Sequence, residues 1–456
     1  MHPTLRMLLM DSTSLFGAGG TAGDMLGNEP SGVAFDFRSD RMLVRSASTP
    51  SLNFDGTIQQ GIDASIISFT RATSASRTNG SGLIETVSSG LWRREYSPLT
   101  LSPLGYLPEP ARTNLLLRSD AFDNASWTKT RSSIGADATT SPDGTANADR
   151  LIEDSTASNS HYVSQVITVS AGATITQTVY AKANSRSAIV LQMFNGSDQA
   201  RASFNLATGA VGDTAVAGTA SALVSSIHDV GGGWYRCRMT AIVSTTATAI
   251  ECDVMMANAG SVAGRFYNGD GASNLYIFGA DAQVGAYPTS YIPTTSATVT
   301  RNADVMTVAL SKLPTIGTAM TLLAIAQKSS DATTNGHRLI TIDNGTTGER
   351  AVIYNNTAGS SESAGLVTAS SSSVAAIARA ITGRHKTAWA VATNDFELVV
   401  NGVSAGTDTA GAFPASLSTL RFGSDTSGTN QYGAPIESFV LLPRRLSAAE
   451  MIARTA

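Results

Sequence analysis

Cysteine, lysine and histidine are scarce in this chain, and few of its residues carry charge. Two cysteines in 456 residues exclude a disulfide framework and a cysteine-rich metal site. The five histidines stand alone, and none forms a His-Glu-x-x-His zinc motif. Only 14% of residues are charged, and the 31 basic and 35 acidic side chains are spread along the chain. This composition argues against nucleic acid and anionic membrane surfaces as partners.

Long apolar runs are absent as well. No segment approaches the roughly 18 apolar residues that a membrane helix needs. The apolar stretch at residues 7–10 is too short for the core of a secretory signal. We therefore expect a protein that is made in the cytoplasm, is not exported through an N-terminal signal and does not insert into a membrane.

Hydroxyl side chains and short strands dominate what is present. The 55 serines and 53 threonines outnumber the charged residues, and the 42% apolar fraction is enough for packed cores. Short alternating or β-branched runs recur between Gly, Asn, Asp and Ser clusters, a pattern typical of sandwiches and barrels. They are residues 162–169, 174–180, 188–194, 234–243, 250–256, 274–278, 320–326, 338–342, 351–354 and 396–400.

Helical patterns are rare. A helix is predicted only over residues 448–454, because Ser447 and Glu450 have the spacing of a capping box. The chain is therefore predicted to be mainly β.

The strands divide the chain into three segments. Residues 1–112 are rich in glycine and turns and carry few convincing strands, so we expect them to be ordered mainly by docking onto another surface. Residues 113–298 and 299–456 are strand-rich, and each segment has the right size for one β-sandwich. The predicted fold has two consecutive sandwiches after an irregular N-terminal region.

Short motifs in a fixed order resemble a family of virion proteins of tailed bacteriophages and phage-derived particles. They are FTRAT at 69–73, EPARTNL at 109–115, ASWT at 125–128, GWYR at 233–236, TSYIPT at 289–294 and VTR at 299–301. The resemblance implies that residues 113–298 form a jelly roll like that of a carbohydrate-binding module.

The last segment resembles the concanavalin A-like, laminin-G-like sandwich. The resemblance is carried by ELVVNGV at 397–403, LRFGS at 420–424 and RLSAAE at 445–450. Within the first of these, Asn401 and Gly402 suit a two-residue hairpin turn, because both residues tolerate positive φ.

Together the resemblances imply a head spike, fibre or minor tail protein on the virion surface, made in the cytoplasm of a bacterial host. Residues 1–112 would anchor it to other virion proteins and support oligomerisation, and the sandwiches would bind host surface polysaccharide. Because several weak sites on one particle gain avidity, we expect a symmetric homo-oligomer, a trimer or a pentamer.

Two strands carry the main candidate binding residues. Trp234, Arg236 and Arg238 share one strand face, and Glu251 and Asp253 share a face of the next strand. If these strands form a hairpin, their common apolar core places Arg238 near Asp253 or Met255. Sugars stack on aromatic rings and hydrogen-bond to Arg and carboxylate groups. The same residues also suit a plain cross-strand ion pair, with Trp234 covering the sandwich edge.

The hairpin register also bears on the two cysteines. Cys237 would lie opposite Val254 or Met256 rather than opposite Cys252. Because diagonal neighbours on one face are about 7 Å apart, no disulfide is expected.

A glycine-rich stretch at 264–274 carries Tyr267, Asn268 and Asp270. Their oxygens suit a glycan or Ca²⁺, but the spacing matches no EF-hand loop, and ordinary turns use the same residues. No metal or cofactor is otherwise indicated. Trp127 and Trp389 are predicted to be core residues.

Catalytic patterns are missing. Glu251 with Asp253, and Asp395 with Glu397, are pairs that flexible side chains could bring to the roughly 5 Å used by retaining glycosidases. The Glu-x-Asp-x-Glu pattern of concanavalin-like hydrolases, however, ends in Met255 here. We assign no catalytic residue and expect no enzyme. A polysaccharide depolymerase and a purely architectural virion component are the alternatives to an adhesin.

Overall fold

Antiparallel strands make up most of the chain in the computed structural model. It describes Leu26, Glu29 and residues 31–46, 49–55, 66–328, 336–356, 362–369, 372–428 and 430–456. Two β-sandwiches with separate apolar cores account for these ranges, which confirms the predicted fold class. No helix within the described ranges is both long enough and apolar enough to cross a bilayer.

The N-terminal quarter contains more strands than the sequence predicted. They are β1 (Gly32–Asp36), β2 (Arg41–Ser46), β3 (Thr49–Asp55), β4 (Ile67–Thr70), β5 (Ala75–Thr78), β6 (Ile84–Val87), β7 (Arg94–Tyr96), β8 (Pro103–Tyr106) and β9 (Arg112–Asn114). The prediction of few strands in residues 1–112 is therefore wrong. Each strand is short, so its alternation extends over too few residues to stand out from the turns around it.

The middle segment is a jelly-roll-like sandwich of two six-stranded sheets. Its strands are β10 (Thr128–Thr130), β11 (Ser132–Thr139), β12 (Ala148–Glu153), β13 (Tyr162–Thr168), β14 (Thr174–Lys182), β15 (Ala188–Phe194), β16 (Gln199–Asn205), β17 (Ala210–Ala217), β18 (Ser221–Asp229), β19 (Trp234–Ile242), β20 (Ala249–Ala257) and β21 (Asn274–Val284). We call β10-β13-β20-β15-β16-β17 the first jelly-roll sheet and β11-β12-β21-β14-β19-β18 the second.

Trp127 lies in the core between these two sheets, as predicted. Its side chain is 1% exposed, its ring centroid lies 4.7 Å from that of Phe122, and its Nε1 donates to the Arg118 carbonyl at 2.9 Å. Cys237 and Cys252 enter the same core from opposite sheets and are free thiols.

The C-terminal segment supplies most of the second sandwich. Its elements are β22 (Val299–Arg301), β23 (Val305–Ala309), β24 (Ala319–Ala326), β25 (His337–Asp343), β26 (Arg350–Asn356), β27 (Glu362–Ala369), β28 (Ser372–Ala380), β29 (His385–Ala392), β30 (Asp395–Val400), β31 (Val403–Asp408), β32 (Thr419–Phe422), β33 (Ile436–Leu442) and helix α1 (Ala448–Thr455).

Strands from the N-terminal quarter complete this second sandwich. One sheet has the order β3-β2-β1-β33-β24-β29-β30-β31, with β8 paired to β33 and β7 to β8, and the facing sheet has the order β28-β27-β26-β25-β32-β23-β4. We expected residues 1–112 to form a separate region. Strands β1–β4, β7 and β8 of this region are instead part of the C-terminal sandwich. The jelly roll is inserted between the two parts, and its ends are held together by the β9–β22 ladder.

Trp389 and the hairpin turn after β30 also match the predictions. Trp389 is fully buried in the second core, where a Cβ at Gly365 would lie 2.5 Å from the indole Cδ2. Asn401 and Gly402 have φ of 49° and 71° and join β30 to β31.

Helix α1 has the predicted capping box. The Ser447 hydroxyl accepts from the Glu450 amide at 3.3 Å, and the Glu450 carboxylate accepts from the Ser447 amide at 2.7 Å. Arg444 and Arg454 bind Glu29, which ties the helix end of the chain to its N-terminal part.

We expect Ser447→Ala to destabilise the second sandwich by about 1 kcal/mol, because the first turn of α1 loses a hydrogen-bond acceptor. The thermal unfolding midpoint measures the change. Ser133→Ala is the matched control, since Ser133 is exposed on β11. Equal midpoints for the two variants would contradict the prediction.

A buried ionic cluster lies where the chain enters and leaves the jelly roll. This joint cluster consists of Arg71, Arg93, Glu109, Arg301 and Asp304, none of which is more than 4% exposed. Arg93 bridges the two carboxylates, at 2.8 Å to Glu109 Oε2 and 2.5 Å to Asp304 Oδ2. Arg71 binds Asp304 at 2.8 Å, and Arg301 binds Glu109.

Ser290 connects the joint cluster to the end of the jelly roll. Its amide and its hydroxyl each donate to Glu109 at 2.7 Å. Arg71, Glu109, Ser290 and Arg301 come from four of the motifs that suggested the resemblance. In this structure, those motif residues hold the two sandwiches together.

Candidate functional site

The structure buries Trp234 and Arg238 of β19 and leaves Arg236 half-buried. Trp234 is 3% exposed, and its Nε1 donates to the Thr140 carbonyl at 3.1 Å. Arg236 donates to the Thr289 carbonyl at 2.8 Å and Arg238 to the Ala286 carbonyl at 3.0 Å. The chain segment after β21 therefore covers part of this strand face and is held there by Arg236 and Arg238, whereas Trp234 is held by the turn after β11.

The predicted hairpin between β19 and β20 is wrong. β19 pairs with β14 and β18 in the second jelly-roll sheet, whereas β20 pairs with β13 and β15 in the first. The connection between them crosses from one sheet to the other, so both apolar faces still meet in one core. Glu251 and Asp253 are consequently on the opposite side of the sandwich from Arg236 and Arg238.

Tyr267, Asn268 and Asp270 belong to a network of loops around buried Glu153. The Tyr267 hydroxyl donates to Glu153 at 2.8 Å, and the Asp270 amide donates to it at 2.9 Å. Asn268 accepts from the Ser158 amide at 2.7 Å, and the Asp270 carboxylate accepts from the amides that follow it. These contacts are turn chemistry. No metal-ligating cluster occurs among the residues that the structure describes.

The outer face of the first jelly-roll sheet brings polar side chains together. Asp253 on β20, Gln192 on β15 and Arg201 on β16 are cross-strand neighbours. Gln192 Nε2 donates to Asp253 Oδ2 at 2.5 Å, and Arg201 Nε donates to Gln192 Oε1. The three side chains form a hydrogen-bonded row across three strands.

A second row runs beside the first. It contains Glu251, Phe194 and Gln199, all half-buried, and Arg201 Nη2 donates to Gln199 Oε1. Asp253 is 1% exposed and Gln192 is 7% exposed, so they form the floor under more accessible groups. We call Glu251, Asp253, Gln192, Arg201, Phe194 and Gln199 the Arg201 face.

The loop after β20 forms a border of this face. It is held to the sheet by Asp213, whose carboxylate accepts from the Val262 amide and from the Ser203 hydroxyl. Arg265 stacks on Phe266, with its guanidinium carbon 4.1 Å from the ring centroid. Phe266 is 53% exposed, so the loop presents an aromatic ring and a cation to solvent.

Burial and like charges shape the electrostatics of the Arg201 face. Burial raises the pKa of Asp253 well above its usual range, and the neighbouring Glu251 charge adds to this, so the protonated acid is favoured. Burial, and after it the charge of Arg265, lowers the pKa of Arg201 to about 10. Arg201 therefore stays cationic at neutral pH.

The Arg201 face combines the group types that recognise hydroxylated ligands. A cationic fork, two amides and a carboxylate offer directional hydrogen bonds, while Phe266 offers a ring for stacking. Asp253 Oδ1 is buried without a hydrogen-bond partner among the described residues. Such an unsatisfied atom is costly, and a hydrogen-bonding group of a bound ligand would satisfy it.

The sequence pointed to part of this face. Glu251 and Asp253 were predicted site residues, but Gln192, Arg201, Arg265 and Phe266 were missed. The signal in the sequence was the position of Gln192 and Arg201. Each is a long polar residue within a strand whose other residues are mostly apolar or small.

Asp395 and Glu397, the second carboxylate pair considered from the sequence, are both ion-paired with one arginine. Arg445 lies 2.7 Å from Asp395 and 3.1 Å from Glu397. Both carboxylates of this pair are therefore already engaged by one guanidinium.

Comparisons with known proteins place the chain in no family. No protein-family model and no curated protein matches its sequence. Among solved structures, the CBM40 of the Ruminococcus gnavus IT-sialidase is 18% identical, with 30% of this chain and 83% of that chain covered and a TM-score of 0.26. Streptococcus pneumoniae NanB sialidase is 14% identical, with 31% and 25% covered and a TM-score of 0.26.

A sialidase of Trypanosoma rangeli also matches, at 9% identity and a TM-score of 0.27, with 67% of this chain and 60% of that chain covered. This chain spans only about a quarter of the NanB sialidase. At such TM-scores these similarities carry no argument about ligands. The candidate site therefore depends on its own geometry.

Proposed function

We propose that this chain is a virion structural adhesin that binds host cell-surface polysaccharide through the Arg201 face. The observation that carries the proposal is the hydrogen-bonded row Asp253–Gln192–Arg201, together with the neighbouring Arg265, whose guanidinium stacks on the exposed ring of Phe266. The row fixes polar groups in one orientation before a ligand arrives, which lowers the entropic cost of binding. The ring supplies a stacking surface for a pyranose.

The virion location is proposed from the motif resemblance in the sequence. The part of residues 1–112 that pairs with the second sandwich is committed to that fold. We propose that residues 1–112 contact other virion proteins; residues 1–25 of this region lie outside the described residues. We propose a trimer or a pentamer of the chain on the virion surface, so that weak sites act together.

Arg201→Met should weaken binding to host envelope polysaccharide by about tenfold or more, because charge-assisted hydrogen bonds contribute roughly 1.5–3 kcal/mol each. Phe266→Ala should weaken it by about threefold to tenfold through lost stacking. A pull-down of the full chain with purified host capsule and lipopolysaccharide measures both effects.

Two control variants separate specific loss from general damage. Arg379→Met removes an exposed arginine of β28, and Leu99→Ala removes an apolar side chain that is 57% exposed, close to the 53% of Phe266. Both should bind like the unaltered chain. Absence of polysaccharide binding by the unaltered chain would favour the architectural alternative, and new reducing ends in the polysaccharide would favour a depolymerase.

A further inference from the structure

The second sandwich carries a pair of arginines on the outer face of its sheet β28-β27-β26-β25-β32-β23-β4. Ala351 and Ile353 of β26 point into the core, so Arg350 and Tyr354 lie on the other side of the strand. Arg338 of β25 is directly opposite Tyr354. Its guanidinium carbon is 5.0 Å from the Tyr354 ring centroid.

In the described part of the chain no salt bridge joins either arginine to an acid, although the charge of Asp425 acts on Arg338. Asp343 is opposite Arg350 but is ion-paired with Arg421 at 2.6 Å. The Nε atoms of Arg338 and Arg350 are both buried without a hydrogen-bond partner among the described residues. Three arginines, Arg338, Arg350 and Arg421, against two acids, Asp343 and Asp425, thus sum to one positive charge.

The two guanidiniums are close enough to affect each other. Burial lowers the pKa of Arg338, and the next cause is the charge of Arg350. Half-buried like charges with unused N–H donors are unfavourable unless an anion is shared between them. A planar guanidinium matches the oxygens of a carboxylate, sulfate or phosphate, and Tyr354 fixes the plane of Arg338.

We propose that Arg338, Arg350 and Tyr354 form a second binding site, which takes an oxyanion group carried on a saccharide. The site is in a different sandwich from the Arg201 face and uses none of its residues. One chain would then hold a polymer at two places, with the second contact selecting for negative charge.

Retention on immobilised dextran sulfate, compared with plain dextran, tests the second site in the full chain. The protein has a net charge of −4, so it has no general attraction to a polyanion. We expect retention on dextran sulfate alone, and we expect the double variant Arg338→Met, Arg350→Met to lose about tenfold or more in affinity. Inorganic sulfate should displace the chain better than chloride at equal ionic strength.

Arg379→Met is the matched control, because Arg379 is exposed on the same sheet but shares a face with Asn355 rather than with Tyr354. It should bind dextran sulfate like the unaltered chain. The double variant should unfold at the same temperature as the unaltered chain or higher, since two repelling charges are removed. Equal retention of the double variant and Arg379→Met, or no retention of the unaltered chain, would overturn the proposal.

The outcome is separate from that for the Arg201 face. Arg201→Met should still be retained on dextran sulfate through Arg338 and Arg350, whereas it weakens binding to host polysaccharide. Displacement by inorganic sulfate can be measured only if the chain is retained on dextran sulfate. Binding of free sulfate is therefore also measured, by equilibrium dialysis. If the chain bound free sulfate but was not retained on dextran sulfate, the proposal that the oxyanion is carried on a saccharide would be wrong.

Discussion

Asp304→Asn is expected to destabilise the protein by about 3–5 kcal/mol, because buried Arg71 loses its counter-charge and buried Arg93 keeps only Glu109. Asp304 is fully buried, and its two oxygens bind Arg71 at 2.8 Å and Arg93 at 2.5 Å. An asparagine of the same shape keeps the packing but cannot neutralise either guanidinium. The change in the free energy of unfolding in urea measures the effect.

Asp395→Asn is the matched control for this prediction. Asp395 also binds an arginine, Arg445 at 2.7 Å, but its side chain is 53% exposed. Water screens such a pair, so its loss should cost less than about 1 kcal/mol. If the two variants lost similar amounts of stability, the joint cluster would not be the main electrostatic support of the fold.

The strands and cores of both sandwiches could be predicted from local patterns. Runs such as 320–326 and 396–400 are long enough and apolar enough to be identified without knowledge of their neighbours. The N-terminal strands could not be identified in this way. β1 pairs with β33, about 400 residues away in sequence, and this pairing stabilises a run that is weak by itself.

The binding residues of β19 were predicted incorrectly for a different reason. Alternation correctly placed Trp234, Arg236 and Arg238 on one strand face, pointing away from the core. It does not show what covers that face, and here the segment containing Ala286 and Thr289 does. Periodicity identifies the side of a strand, while exposure depends on distant parts of the chain.

The motifs behind the family resemblance have a structural explanation. Arg71, Glu109, Ser290 and Arg301 meet in or beside the joint cluster, far apart in sequence but in contact in the fold. These motif residues indicate how the two sandwiches are connected. They do not report which ligand is bound, and the proposed binding residues Arg201 and Arg338 lie outside every motif.

Glu109→Gln is expected to cost about 3 kcal/mol at neutral pH, and this cost should shrink as the solution is acidified. Arg301, Arg93 and the donors of Ser290 outweigh the effect of burial and lower the pKa of Glu109 from 4.5 to about 2. A shift of this size corresponds to roughly 3 kcal/mol of stability.

The direction of the pH dependence follows from the two protonation states. The folded protein favours the charged carboxylate, so its contribution is present above about pH 4.5 and is lost as the pH falls towards 2. Glutamine has no charge at any pH and lacks this contribution throughout. Urea unfolding of both proteins between pH 7 and about pH 2 should therefore give stability curves that converge at the acid end, and a gap independent of pH would show that the Glu109 carboxylate is not held in its charged form by the joint cluster.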